Sequence, residues 1–219
     1  MSFGAPSTFY YENLKMNNLS ESETRHAMEM VKYHEQEKLA WGRKLGFDNI
    51  SEKAKTKEVM MGYELGDTVF ANSTGEVRGA DARNNKSGMP REYKTTELKE
   101  YQVDRFFEAV VDGTATMSGS MTYNAAGGTG SDFGKQTRET INSYNDIEHF
   151  HGVFFRGTPV AITQVDTDYI TSDDGLMKRA IKEENGQKYK STNGNSVSVH
   201  YENGGAREGE VVYKNDIRK

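Results

Sequence analysis

Apolar and long amphipathic residues recur at helical spacing between Glu21 and Leu45, where Ala27, Met30, Val31, His34, Lys38 and Trp41 form one mixed stripe. Ser20 or Ser22 is placed to cap this helix, Arg43 and Lys44 suit its last turn, and Gly46 follows as a C-cap. A second helix is expected over Ser51–Leu65, opened by Ser51 and closed by Gly66, with Ile50, Val59, Met60 and Tyr63 on its apolar side. Three short extended segments come next: Asp67–Ala71, Glu76–Ala82 and Met89–Thr96. Turn signals at Asn72–Gly75 and Asn84–Gly88 separate them.

Thr96–Val111 returns to a helical period, with Leu98, Tyr101, Val103, Phe106, Phe107 and Val110 as its apolar set. Residues 112–134 are rich in Gly, Ser and Thr and read as a short strand, Ala115–Tyr123, followed by a mobile loop, Asn124–Gly134. A short helix over 136–149 leads into the strands His151–Phe155 and Val160–Val165, joined by the turn Arg156–Pro159. A helix over Gly175–Glu184 and two short strands, Ser196–Tyr201 and Glu210–Lys214, complete a polar C-terminal region. The pattern predicts one domain over 1–219, with a core at about 50–170 and a polar extension from 171 to 219.

Composition narrows the class. Apolar residues make up 34% of the 219 and the mean hydropathy is −0.84, but twelve Tyr and ten Phe supply anchors for a core. No cysteine is present, which excludes disulfide frameworks, thiolate zinc sites and cysteine nucleophiles. The first residues show neither the basic nor the apolar region of a secretory signal, and no apolar run approaches a membrane span, so a soluble, cytoplasmic protein is expected. A net charge of −5 means that any binding of nucleic acid must come from local positive charge.

The chemistry concentrates in Val77–Thr96, VRGADARNNKSGMPREYKTT. Residues two apart on a strand share a face, so Glu92 and Lys94 project side by side. A hairpin through Asn84–Gly88 brings Asp81 next to them if its register is right. Two carboxylates and a lysine are what a Mg²⁺-dependent phosphodiester hydrolase needs: the carboxylates hold a hard cation, and the ammonium attends the attacking water and the charge on phosphate. The competing reading is a solvated salt-bridged strand edge beside a turn-proximal aspartate.

Asp81, ten intervening residues and Glu92-Tyr93-Lys94 resemble the signature of the PD-(D/E)XK nucleases, the core of many type II restriction endonucleases, with Ala80 where that family has proline. The order of helix, strand, strand with Asp and strand with Glu-x-Lys is also similar to the family's. The resemblance implies an α/β fold with a restriction endonuclease-like mixed central β-sheet flanked by helices. It implies a Mg²⁺-dependent endonuclease, of the sequence-specific type II kind, acting on double-stranded DNA as a homodimer. Asp81 and Glu92 would ligate Mg²⁺ with the backbone carbonyl of Tyr93, Lys94 would contact the water and the scissile phosphate, and Glu58 on the preceding helix would support the metal, with Glu64 as its rival. The long helix Glu21–Leu45 offers a dimer element. Alternatives are a phage, repair or homing nuclease of the same fold, or a noncatalytic binding or virion-associated protein.

Other candidates depend on that context. Asn124, Lys135, Gln136 and Arg138, in and just after the Gly/Ser/Thr-rich segment, suit contacts to bases or phosphates, though a plain linker explains the segment as well. Arg78 and Arg83 flank Asp81 and either touch phosphate or offset the carboxylates. His149 and His151 have metal-chelating spacing, but with no third ligand nearby they read as structural. No phosphate-loop motif occurs, and Met117-Ser118-Gly119-Ser120 is a poor nucleophile elbow.

Overall fold

The computed structural model describes residues 21–47, 50, 53–70, 80–113, 117–124, 133–190, 196–203 and 209–218. It divides into two compact units, Met1–Thr56 with Asp216–Lys219, and Lys57–Asn215. In the first, helix α1 (Glu21–Lys44) ends in two reverse bonds, Phe47 N–H to the Gly42 carbonyl at 2.9 Å and Gly46 N–H to that of Arg43 at 3.0 Å. Gly46 takes φ +83°, the left-handed cap that a residue without Cβ adopts most cheaply. Met30, Tyr33, Trp41 and Leu45 are exposed along α1 and beyond its end. Helix α2 (Lys53–Leu65) begins in this unit and continues into the second.

The second unit is mixed α/β, built on a mostly antiparallel six-stranded sheet of order β1-β2-β3-β5-β6-β8. Its strands are β1 (Asp67–Val69), β2 (Ala82–Asn84), β3 (Pro90–Glu97), β5 (Glu148–Phe155), β6 (Thr158–Val165) and β8 (Gly209–Lys214). The pair β3/β5 alone is parallel; every other neighbour is antiparallel. Between β3 and β5 the chain makes a single 3-10 turn (Glu100–Gln102) and the helix α3 (Val103–Phe106). A wider turn follows over Phe107–Val111, closed by Asp112 N–H on the Phe107 carbonyl at 2.9 Å. Strand β4 (Met117–Asn124) and helix α4 (Phe133–Asn142) then precede β5.

The two faces of the sheet bury different partners. On one, Met61 of α2 joins Ala82, Tyr93, Phe150, Phe154 and Ile162 in a core. A Cβ on Gly152 of β5 would stand 2.5 Å from Met61 Sδ, so the bare glycine lets α2 approach. The other face is covered by a separate antiparallel ribbon of β4 with β7 (Ser196–Asn203) and by α4 and α6 (Met177–Glu184). The ribbon alternates as a half-buried sheet should: Met121, Tyr123, Val197, Val199 and Tyr201 point inward, while Ser120, Thr122 and His200 are exposed. A short helix, α5 (Thr167–Thr171), is capped by Asp166, whose side chain accepts from the N–H groups of Asp168 and Tyr169.

Several expectations shift. The helix expected over 136–149 runs from Phe133 to Asn142, because β5 already begins at Glu148. Of the expected strand Glu76–Ala82, only Ala82 falls in β2, Ala82–Asn84, which runs into the expected turn, and Asp81 stands on the bend before it; residues 71–79 lie outside those described, as do Ser20, Ser51, Arg78 and most of the loop Asn124–Gly134. Residues 171–219, expected as an extension, supply α6, the covering strand β7 and the sheet edge β8. No helix among the described residues is long and apolar enough to cross a membrane.

Candidate metal and phosphodiester site

The hairpin β2–β3 sets the site. Asn84 Oδ1 accepts the backbone N–H groups of Lys86 (2.8 Å) and Ser87 (3.1 Å), Asn84 N–H closes the turn on the Met89 carbonyl (2.9 Å), and Gly88 takes φ +76°. The resulting register pairs Ala82 with Arg91 and Arg83 with Pro90. Asp81 lies just before β2, outside the paired residues, and its N–H donates to the Arg91 carbonyl at 2.8 Å. The Asp81 carboxylate accepts the Tyr93 backbone N–H at 2.8 Å, which turns it toward β3.

Glu92 is 5% exposed. Its Oε1 pairs with Lys94 Nζ, its neighbour on the same strand face, while Oε2 is buried with no hydrogen-bond donor. Burial, reinforced by the Asp81 charge and opposed by Lys94, pushes the Glu92 pKa up to about 7. Burial also works against the Lys94 ammonium, but the carboxylates of Glu92 and Asp81 outweigh it and raise its pKa. Asp81 and Lys94 are half-buried, so the pair of carboxylates opens to solvent at its edge.

This donor set fits a hard divalent cation. Two facing carboxylates repel unless a proton or a cation lies between them; Asp81 lies within hydrogen-bonding reach of Glu92 when one of the two is protonated, and the buried Glu92 Oε2 has no other donor. Among the described residues no group of three or more His, Cys, Asp or Glu is gathered for a metal. The protein donors at hand are the carboxylates of Asp81 and Glu92.

Aromatic and imidazole groups of β4, β5 and β7 lie behind the pair. In the parallel register Glu92 stands beside His149 and Lys94 beside His151. His149 Nε2 lies 3.2 Å from the Tyr144 carbonyl, which can only accept, so Nε2 carries the proton and Nδ1 accepts from Tyr123 Oη at 3.0 Å. His151 Nδ1 meets Tyr201 Oη, and its Nε2 lies 2.8 Å from Thr96 Oγ1. Both nitrogens of each ring are engaged, and burial pushes both pKa values down to about 4. The two histidines are thus neutral and structural, as the sequence suggested.

No family model matches this chain, and no curated protein matches it in sequence.

The remaining candidates are spread more widely. Glu58 lies on α2 with one carboxylate oxygen buried, and it does not join Asp81 and Glu92 in a three-ligand group. Glu64 stands in the last turn of α2, exposed, and interacts with Tyr213. Arg138 of α4 is committed to Glu184 through two bonds of 2.8 and 2.7 Å, so phosphate would have to compete for it. Asn124 closes β4 and Lys135 and Gln136 stand in α4, their side chains lying outside what is described.

Two groups escaped the sequence reading. Arg91, between Pro90 and Glu92, is buried on the opposite face. It forks onto Asp67 (2.7 and 2.8 Å), bonds Glu148 (2.6 Å) and lies over the Phe150 ring. Tyr93 Oη donates to the same Asp67, so β1, β3 and β5 are tied together directly beneath the site. The period-2 alternation of Arg91 and Tyr93 was the only available signal, and it says nothing of Asp67. A groove lined by Glu64, Asn84, Lys86, Arg91, Phe150 and Gln164 opens on this face, away from Asp81 and Glu92.

Proposed function

We propose that the protein is a Mg²⁺-dependent DNA endonuclease of the PD-(D/E)XK kind, hydrolysing phosphodiester bonds in double-stranded DNA in the cytoplasm. The observation that carries this reading is the Asp81 carboxylate held on the Tyr93 N–H close to Glu92, with Lys94 on the Glu92 carboxylate. The succession of α2, β1, β2, β3, the helical segment Glu100–Val111 and a strand parallel to β3 supports it, being the element order which that family's core would require.

Asp81 and Glu92 would hold the cation, with the Tyr93 carbonyl as a third protein oxygen. When bound, Mg²⁺ would lower the pKa of a coordinated water and offset the charge on the phosphate. Asp81 is aimed at β3 by the Tyr93 N–H. Glu92, with its pKa near 7, sheds its proton at little cost around neutrality. Lys94, kept charged by both carboxylates, presents an ammonium to the scissile phosphate and orders the attacking water. Asn124, Lys135, Gln136 and Arg138 contribute DNA contacts. The exposed apolar residues of α1 provide the surface for a homodimer that cuts both strands of a symmetric site, as a type II restriction enzyme does.

Supercoiled plasmid incubated with the protein and Mg²⁺ should convert to open-circular and linear forms. EDTA should stop this, and Asp81→Asn should abolish it. Failure of the wild type to cut plasmid, linear, branched or single-stranded DNA with Mg²⁺ or Mn²⁺ would refute the reading.

A further inference from the structure

We propose that Tyr123, on the covering ribbon, is a positioning residue for Lys94, holding its ammonium over the aromatic face while Glu92 is drawn onto the cation. The inference rests on the nuclease reading of Asp81, Glu92 and Lys94. Lys94 Nζ lies 5.2 Å from the centroid of the Tyr123 ring, within the range of a cation–π contact. Tyr123 is fully buried, so the contact is desolvated on the ring side. Its hydroxyl donates to His149 Nδ1 (3.0 Å), and His149 is anchored in turn on the Tyr144 carbonyl (3.2 Å). Tyr144 packs edge-on against Tyr123 at 5.3 Å between centroids. The ring is thus fixed in rotation by a chain that runs back to β5, the strand paired with Glu92.

Among the described residues Lys94 pairs with Glu92 Oε1 and lies against the Tyr123 ring, with the Asp81 charge nearby. A cation held between Asp81 and Glu92 competes with Lys94 for the Glu92 carboxylate. The aromatic face does not compete, because it binds no Mg²⁺ and needs no proton. It keeps the ammonium at the edge of the site, where phosphate arrives, instead of letting a four-carbon chain swing into solvent. No local pattern points to this contact, since Tyr123 lies 29 positions from Lys94 in a Gly/Ser/Thr-rich segment.

The test compares Tyr123→Leu, which removes the ring, with Tyr123→Phe, which keeps it. In protein labelled with ¹³C-lysine, the Lys94 Cε–Hε signal, assigned by its loss in Lys94→Arg, should lie upfield through the ring current. It should stay there in Tyr123→Phe and move to the ordinary lysine position in Tyr123→Leu. With Mg²⁺ and plasmid, Tyr123→Leu should lose about ten-fold in kcat with little change in KM, and Tyr123→Phe should recover most of it. Circular dichroism confirms that each variant is folded. An unshifted Lys94 signal in the wild type, or one unmoved in folded Tyr123→Leu, overturns the proposal. So does a Tyr123→Leu enzyme with wild-type kcat. A ring-shifted Lys94 in a wild type that cuts no DNA refutes the nuclease reading, while the contact itself stands.

Discussion

Replacing Glu92 by Gln should flatten one specific part of the stability curve. In the unfolded chain a glutamate titrates near 4.5; in the fold Glu92 titrates at about 7. A folded pKa above the unfolded one means that the native state binds the proton more tightly. The stability from this group is therefore complete below pH 4.5 and is lost as pH rises through about 7. Integrating the two titrations, the wild type should lose roughly 2–3 kcal/mol between pH 5 and pH 8 on account of Glu92 alone. His149 and His151 act in the opposite sense: they are neutral in the fold with pKa values of about 4, so their contribution is lost as pH falls from about 6.5 to about 4. Those two groups are common to both proteins, so the difference between the curves isolates Glu92. Urea unfolding followed by circular dichroism, without divalent ions, should show Glu92→Gln gaining roughly 2–3 kcal/mol on the wild type between pH 5 and pH 8. Parallel curves would mean that Glu92 is not a strained carboxylate, and the physical case for a cation at this site would fall.

Lys94→Met should lower single-turnover cleavage by about 10²–10⁴-fold while leaving Mg²⁺ binding in place; a loss of less than tenfold would remove Lys94 from the chemistry. Asp67→Ala strips Arg91 and Tyr93 of a shared buried partner, and urea unfolding should show a loss of about 3 kcal/mol, whereas a loss below about 1 would show the network to be ornamental. Gly152→Val drives a side chain into Met61 Sδ, and should cost about 2 kcal/mol and lower Tm by several degrees; an unchanged Tm would mean that α2 does not seat on the sheet as described.

The parts of this molecule that depend on near neighbours in sequence were legible. Gly46 and Gly66 mark the ends of α1 and α2, and Asn84 with Gly88 fixes a turn that leaves Asp81 on the Tyr93 N–H, close to Glu92. The strands Glu148–Phe155 and Thr158–Val165 announced themselves as apolar runs around a Gly-Thr-Pro turn. What could not be read is pairing over long separations. The Met121–Tyr123 alternation is visible once its partner is known, but Val197–Tyr201 lies some 75 residues on, and nothing local says that the two strands close over the Glu92 face. Arg91 was hidden for the same reason: a charged residue beside two others looks solvated until Asp67 and Glu148 are seen to surround it. The turn at Phe107–Val111 reflects packing of Phe106, Phe107 and Val110, which suit an ordinary helix equally well.

The claim on which the rest depends is that Asp81 and Glu92 act together on one cation. Mn²⁺ titration, followed by the electron paramagnetic resonance of the unbound ion, measures this without any nucleic acid. The wild type should bind one ion per chain saturably, with Mg²⁺ in competition, and Asp81→Asn and Glu92→Gln should each bind at least tenfold more weakly. Equal binding by all three proteins, or none by the wild type, would contradict it.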